Sequence, residues 1–204
     1  MASVYACYCF DMDVMDNVAG ILLAAGSSQR FGADKQSALV GGIPMLTRAA
    51  STLLNAGFDM PIVVLGPNAP GHSRLLHGLP VRVVRNQEAA SGMASSLLAG
   101  LEAAGDCEAI VVTVCDQPAV TARHLRMLVT SWRKTHRSIV ASEYGGIHGV
   151  PALFAAKHFA ELRELHGDRG AGPLLARYAG ALQTIPLPGG HIDIDTPADL
   201  TKLC

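Results

Sequence analysis

Short, wholly apolar runs recur along the chain, separated by stretches in which apolar side chains return every third or fourth position. The first run, Val18 to Ala25, carries no polar face, as expected of a strand buried on both sides inside a parallel sheet. Pro61 to Leu65, Val81 to Val84, Ala109 to Val114 and Ser138 to Ala141 read as further strands. Between them, Pro44 to Ala56 predicts a helix, with proline in its first turn and Gly57 at its end. A second helical stripe runs through Met93, Leu97, Leu98 and Leu101, and a third places Leu125, Leu128, Val129 and Trp132 on the inner face of Thr121 to Lys134. Shorter helices are expected from His158 to Leu165 and from Leu174 to Tyr178. Strands alternating with helices predict an α/β domain. No internal repeat is visible.

Composition narrows the function classes. Half of the 204 residues are hydrophobic and 16% are charged, which excludes intrinsic disorder. A net charge of −1 without a basic run argues against nucleic acid as a partner. No apolar run reaches the length of a membrane span. Residues 1–16 hold Tyr5, Tyr8 and Phe10 but no Lys or Arg, so they lack the charged start of a secretory signal. They are expected to form a poorly ordered or loosely docked leader to a domain spanning residues 17–204. The five cysteines are dispersed and odd in number, which points to a reducing, cytoplasmic setting rather than a disulfide framework.

Candidate chemistry concentrates where apolar runs end. After the first strand the chain turns small and polar at Gly26, Ser27 and Ser28, and two cations follow, Arg30 and Lys35. Small residues let backbone N–H groups approach a polyphosphate, and the cations can neutralise its charge. The spacing is not that of a P-loop, since Lys35 follows Asp34, nor that of a dinucleotide fingerprint, since Gly26 and Gly32 are too far apart. Asn86 to Ser96 is a small, hydroxyl-rich loop feeding a helix N-terminus, where Ser91 can cap and free N–H groups favour an anion. Asp116 closes an apolar strand, the position at which open α/β sheets bind ligands, and reads as a Mg²⁺ ligand, the alternatives being a turn residue or the cap of the helix starting near Thr121. Asp193 and Asp195 alternate with isoleucines, so both are expected on one side of a short strand. His148 is the ionisable side chain of a glycine-rich loop, and Arg169 either pairs with Asp168 or meets a substrate phosphate.

Leu23 to Lys35, reading Leu-Ala-Ala-Gly-x-Ser-x-Arg-Phe-Gly-x-x-Lys, closely resembles the signature of sugar-nucleotide-type nucleotidyltransferases, and within them the MobA-like branch. Further matching elements follow in family order: Ser91-Gly92-Met93 with Ser95-Ser96-Leu97, Asp116-Gln117-Pro118, Gly149-Val150-Pro151-Ala152-Leu153-Phe154, Gly167-Asp168-Arg169-Gly170-Ala171, and Asp193-Ile194-Asp195-Thr196-Pro197-Ala198-Asp199-Leu200. The resemblance implies a single three-layer, Rossmann-like domain with a mostly parallel sheet. It implies Mg²⁺-dependent (or Mn²⁺-dependent) nucleotidyl transfer, with Arg30 and Lys35 catalytic and Asp116 and Asp195 on the metal, Asp193 being the alternative to Asp195. Leu23, Ala24, Ala25, Gly26 and Ser27, with Gly66, Gly92 and Ser96, are then expected to bind the nucleotide, and His148 and Arg169 the acceptor. In this family Leu-Ala-Ala-Gly accompanies CTP and Leu-Ala-Gly-Gly accompanies GTP, so Ala24-Ala25 leans towards CTP. The implied acceptor is molybdopterin, serving a client molybdoenzyme. Guanylyl transfer and another phosphorylated acceptor are the alternatives inside the superfamily. A nicotinamide-dependent oxidoreductase or a plain nucleotide-binding protein is the alternative outside it, though the chain lacks its glycine fingerprint.

Overall fold

In a computed structural model of the chain, residues 12–26 and 31–203 are described. Strand β1 (Val18–Ala24) lies inside the sheet because its side chains are apolar in both directions, and it contributes to the core on each face. Leu22 and Ala24 enter one core; Ile21 and Leu23 enter the other. The chain continues through a two-stranded antiparallel ribbon, β2 (Leu39–Val40) and β3 (Ile43–Pro44), into helix α1 (Met45–Ala56). Gly57 ends α1 in the left-handed region, at φ 102°, as a helix-terminating glycine does. Strand β4 (Ile62–Leu65), helix α2 (Ala69–Leu75) and strand β5 (Arg82–Arg85) follow, then α3 (Met93–Ala104), β6 (Ala109–Val114) and α4 (Ala122–Thr135). Thr121 caps α4, its hydroxyl accepting from the His124 N–H, so Asp116 is not spent on that cap. Strands β7 (Ile139–Tyr144) and β8 (Ile147–Ala155), helices α5 (Phe159–Arg163) and α6 (Gly172–Arg177), and strand β9 (Gln183–Pro186) complete the fold.

The seven-stranded sheet runs β5-β4-β1-β6-β8-β7-β9. Every neighbouring pair is parallel except those made by β8, which is antiparallel to both β6 and β7. Helices α1 and α4 cover one face through Leu46, Leu53, Leu125 and Leu128; α3, α5 and α6 cover the other through Leu97, Leu101, Leu162 and Leu174. The result is the three-layer, mostly parallel α/β architecture expected.

Two details differ from the sequence expectations. The glycines Gly145 and Gly146 make a tight hairpin turn with positive φ at both, joining β7 to a nine-residue β8, so His148 sits on a strand opposite Glu143 and not in a loop. Asp193 to Asp195 belongs to no strand; Ile194 donates its backbone N–H to the Asp116 carbonyl, just past β6, rather than to a ladder. At the start of the described chain, Met12–Met15 forms a 3-10 turn, and Val14 and Met15 pack on the α1/α4 core.

Candidate active site

The chain leaves β1 for β4 and β5 on one side, then returns to β6 on the other. Adjacent parallel strands whose connections diverge open a crevice beyond their carboxyl ends. Ala25 and Gly26 emerge from β1 there, and Cys115 and Asp116 emerge from β6. Ser27 and Arg30, expected to bind phosphate and to act in catalysis, lie outside the described residues. Gly66, at the end of β4, is pressed against the Ala25 backbone; a Cβ there would lie 2.8 Å from the Ala25 carbonyl oxygen. Only glycine allows the two strand-end loops to touch.

Lys35 opens a 3-10 turn, Lys35–Ser37, whose N-cap is Asp34. The Asp34 carboxylate accepts from the Gln36 N–H at 3.2 Å and the Ser37 hydroxyl, and His72 of α2 approaches it at 2.8 Å. Burial alone would push Asp34 up, but these hydrogen bonds hold it below its ordinary range. Gln36 is buried and donates its amide to two backbone carbonyls, Ala24 at 3.1 Å and Gly26 at 3.0 Å. The turn carrying Lys35 is thus tied to the end of β1 from one side and to α2 from the other.

The turn directs the Lys35 ammonium at Asp116 Oδ2, 2.7 Å away, and at Asp195 Oδ1, 3.0 Å away. These partners lie 81 and 160 residues further along the chain. The side chain of Lys35 is 14% exposed. Burial pushes its ammonium down, yet Asp116 and then Asp195 outweigh that effect and hold it above its ordinary value. Asp195 is placed by the tail: Asp199 accepts from the backbone N–H groups of Asp195 and Thr196 and from the Thr196 hydroxyl. Ile194, fully buried, fills a small core with Phe31, Val40 and Met45 and so fastens the tail to the signature segment. Asp193 faces the same charges without meeting Lys35 in an ion pair. Burial, with the nearby charges of Asp116 and Asp195, pushes its carboxyl up to about 6. Of the two tail carboxylates, Asp195 is the one the fold joins to Asp116.

The other expected residues divide. The side chains of Leu23 and Ala24 point into the two cores, so neither faces a ligand; what they offer is backbone, their carbonyls accepting from the Cys115 N–H and the Gln36 amide. Ser96 is buried, and its hydroxyl accepts from Asn86 at 2.9 Å, which makes it a fastener of the Asn86–Ser91 loop rather than a cleft-lining group. Gly92 stands at φ 115°, ψ 174°, with Gly167 so close that a Cβ would lie 2.4 Å from its carbonyl carbon. Ala94 donates to the Gly167 oxygen at 3.0 Å, so the start of α3 is partly satisfied from within the chain. The same turn carries Arg169, exposed beside the Gly92 element, and the structure does not bring it or His148 to the Lys35 cluster. Cys115 packs as a small hydrophobe between two cores, its thiol pushed up by burial. Sequence reasoning missed Gln36 and His72. Gln36 follows directly on the signature lysine, which is the one signal that could have marked it.

A carboxylate pair held by a lysine at the switch point of a mostly parallel sheet stands where such sheets bind ligands. The sequence profile of the MobA-like NTP transferase domain matches residues 20–182, and the chain belongs to that family. It is 37% identical over 117 residues to the nicotine blue oxidoreductase of Paenarthrobacter nicotinovorans, an alignment covering 57% of each protein. It is 29% identical to the purine catabolism protein PucB of Bacillus subtilis, over 88% of this chain and 92% of that one. It is 28% identical to the molybdenum cofactor guanylyltransferase of Rhodobacter capsulatus, over 91% and 94%. Among solved structures, the homologue of Mycobacterium tuberculosis Rv0371c from Mycobacterium sp. strain JC1 superposes with a TM-score of 0.80 at 30% identity, covering 92% of this chain and 96% of that one. The manganese complex of Rv0371c itself gives 0.74 at 25% identity, covering 91% and 97%. No helix among the described residues is long and apolar enough to cross a membrane.

Proposed function

We propose that this nucleotidyltransferase transfers CMP from CTP to a phosphorylated acceptor, molybdopterin, with a divalent cation held by Asp116 and Asp195. The observation that carries the reading is the convergence of Asp116 and Asp195 on one cation, the Lys35 ammonium, at the switch-point crevice. A cation already sits between the two carboxylates, and oxygen-only donors suit Mg²⁺ or Mn²⁺. A relative solved in complex with manganese supports a divalent cation as ligand. Bound there, the metal supplies charge neutralisation on the triphosphate.

The residues do the rest by positioning. Ala25 and Gly26 offer backbone N–H groups to the phosphates, and Lys35 faces the charge that builds on the α-phosphate. Arg30 and Ser27 belong to the same proposed phosphate loop. An oxygen of the acceptor phosphate attacks the α-phosphorus, the bond from α-phosphorus to the bridging oxygen breaks, and pyrophosphate leaves with the electron pair. The attacking phosphate is already an anion, so no general base is needed. Arg169, carried on the turn against Gly92, and His148, on β8, are the proposed acceptor contacts.

Ala24-Ala25 favours CTP; the guanylyltransferase names among the relatives favour GTP. Their names also support molybdopterin as acceptor, and a client molybdoenzyme as its destination. The assay is pyrophosphate release from purified protein with Mg²⁺ and CTP, GTP, ATP or UTP in turn, with and without molybdopterin. CTP with molybdopterin is expected to give the highest turnover, and Asp116→Asn to abolish it. Preference for GTP would move the reading to guanylyl transfer. A parallel arm with NADH or NADPH and an oxidised dye tests the reading that the oxidoreductase relative suggests. Cofactor oxidation without pyrophosphate release would overturn nucleotidyl transfer as the activity.

A further inference from the structure

The Lys35 ammonium occupies the very point at which Asp116 and Asp195 converge. Its distances of 2.7 and 3.0 Å are those of charge-assisted hydrogen bonds, and the side chain has given up most of its contact with water to make them. A solvated lysine on a loop ordinarily keeps its charged end in water. A divalent cation bound by the same two oxygens would sit about 2.1 Å from each, within or against the volume of the ammonium. Two cations cannot share that space.

We propose that Lys35 is the built-in counter-ion of the Asp116–Asp195 pair and is exchanged for the divalent cation when the metal–triphosphate enters. The proposal rests on the transferase reading above. The backbones on both sides are pinned, Lys35 by the Asp34 cap and the Gln36 clamp, Asp195 by Asp199 and the Ile194–Asp116 hydrogen bond. The exchange therefore runs through rotation of the lysine side chain, which moves its ammonium from the two carboxylates to a phosphate. Two consequences follow. Without nucleotide, metal binds weakly, because it must evict a paired lysine that has no phosphate to go to. With nucleotide, metal and triphosphate bind cooperatively, because one vacates the carboxylates by engaging the lysine that the other displaces. The ion pair is then a gate against metal loading in the absence of substrate, not a permanent brace.

The test is Mn²⁺ binding by the full-length, metal-stripped protein, read from the free-Mn²⁺ electron paramagnetic resonance signal. It is run with and without a CTP analogue carrying a methylene bridge between the α- and β-phosphorus. Without the analogue, Lys35→Met and Lys35→Gln are expected to bind Mn²⁺ at least about tenfold more tightly than the wild type, since a competing positive charge has gone. Adding Asp116→Asn to either is expected to remove the gain. In the wild type the analogue is expected to tighten Mn²⁺ binding by a similar factor, and in the Lys35 variants by much less. Equal Mn²⁺ affinity in wild type and both Lys35 variants would overturn the exchange, while loss of Mn²⁺ binding in Asp116→Asn and Asp195→Asn would still uphold the metal site. Undiminished Mn²⁺ binding in both aspartate variants with the analogue present would overturn the metal site and the exchange together. Should neither Lys35 variant fold, a wild type that binds Mn²⁺ equally well with and without the analogue overturns the exchange.

Discussion

Replacing Gly92 by alanine tests whether the Gly92–Gly167 contact is the close backbone approach that the geometry implies. Two costs add. The backbone at φ 115°, ψ 174° lies where residues other than glycine are strained, by about 1–3 kcal/mol. The new methyl would also lie 2.4 Å from the carbonyl carbon of Gly167 and 2.5 Å from its oxygen, so the Gly167 turn must move away. Moving it breaks the Ala94 N–H to Gly167 hydrogen bond, worth about 0.5–1.5 kcal/mol. The sum is about 3 kcal/mol, which for a protein of this length lowers Tm by about 6–12 °C. Gly78 is the control. Its φ is +81° and nothing lies within 4 Å of a Cβ built there, so Gly78→Ala carries the strain without the collision. That strain of about 1 kcal/mol predicts a drop of about 2–4 °C. Differential scanning calorimetry on both variants gives the comparison directly. Equal drops would mean that Gly167 does not press on Gly92 and that the argument for the close approach is wrong. Because the displaced turn carries Arg169, Gly92→Ala is also expected to raise the acceptor KM.

Three further outcomes are expected. Lys35→Ala should lower kcat by about 10²–10³-fold while changing nucleotide Kd far less, because charge on the α-phosphate builds in the transition state; an unchanged kcat in steady-state kinetics would remove Lys35 from the chemistry. Gln36→Leu leaves the buried Ala24 carbonyl without its donor, at about 1–3 kcal/mol, and frees the end of the phosphate loop, so both Tm and nucleotide affinity should fall; isothermal titration showing wild-type affinity would mean the clamp does not shape the loop. Stability should fall in acid through His124, whose pKa burial pushes down to about 4. The fold holds the neutral imidazole, donating to Ser142, while the unfolded chain takes up a proton near 6.5. Stability is therefore full above about pH 6.5 and declines as pH falls towards 4, by about 3 kcal/mol in all. Urea unfolding of the wild type and His124→Asn across that range should show the wild type losing the larger share, and parallel curves would contradict it.

How much was legible in the sequence follows from what made each element. Val18 to Ala24, Ala109 to Val114 and the inward stripe of α4 are fixed by their own apolar pattern, and each appears where that pattern places it. Strand β9, Gln-Thr-Ile-Pro, has no such pattern; pairing with β7 at the sheet edge makes it a strand. Helix α2 carries little signal of its own, being seven residues with Pro70 and Gly71 among them, although proline is well tolerated in a first turn. Asp116 could be singled out because it closes a central strand. Gln36 had only its place after the signature lysine to mark it, and His72 had nothing, since their partners lie 12 and 38 residues away and a buried amide looks in sequence like a surface one. Alternation along Ile192 to Asp195 suggested a strand, but the segment is held by hydrogen bonds to Gly189, Asp116 and Asp199 and by Ile194 in its own pocket.

The seating of Ile194 bears on how the protein comes into being. A ribosome delivers Lys35 and Asp116 long before Asp195, and by then all seven strands of the main sheet have been made. Until the tail is delivered, the lysine has only Asp116 to hold it, and the groove around Phe31, Val40 and Met45 stays open. Closing that groove is the step that finishes the carboxylate pair. A growing chain therefore completes the Lys35–Asp116–Asp195 cluster only after the strands of its sheet have been synthesised. A product interrupted before residue 195 would retain the strands of the sheet but lack the second carboxylate.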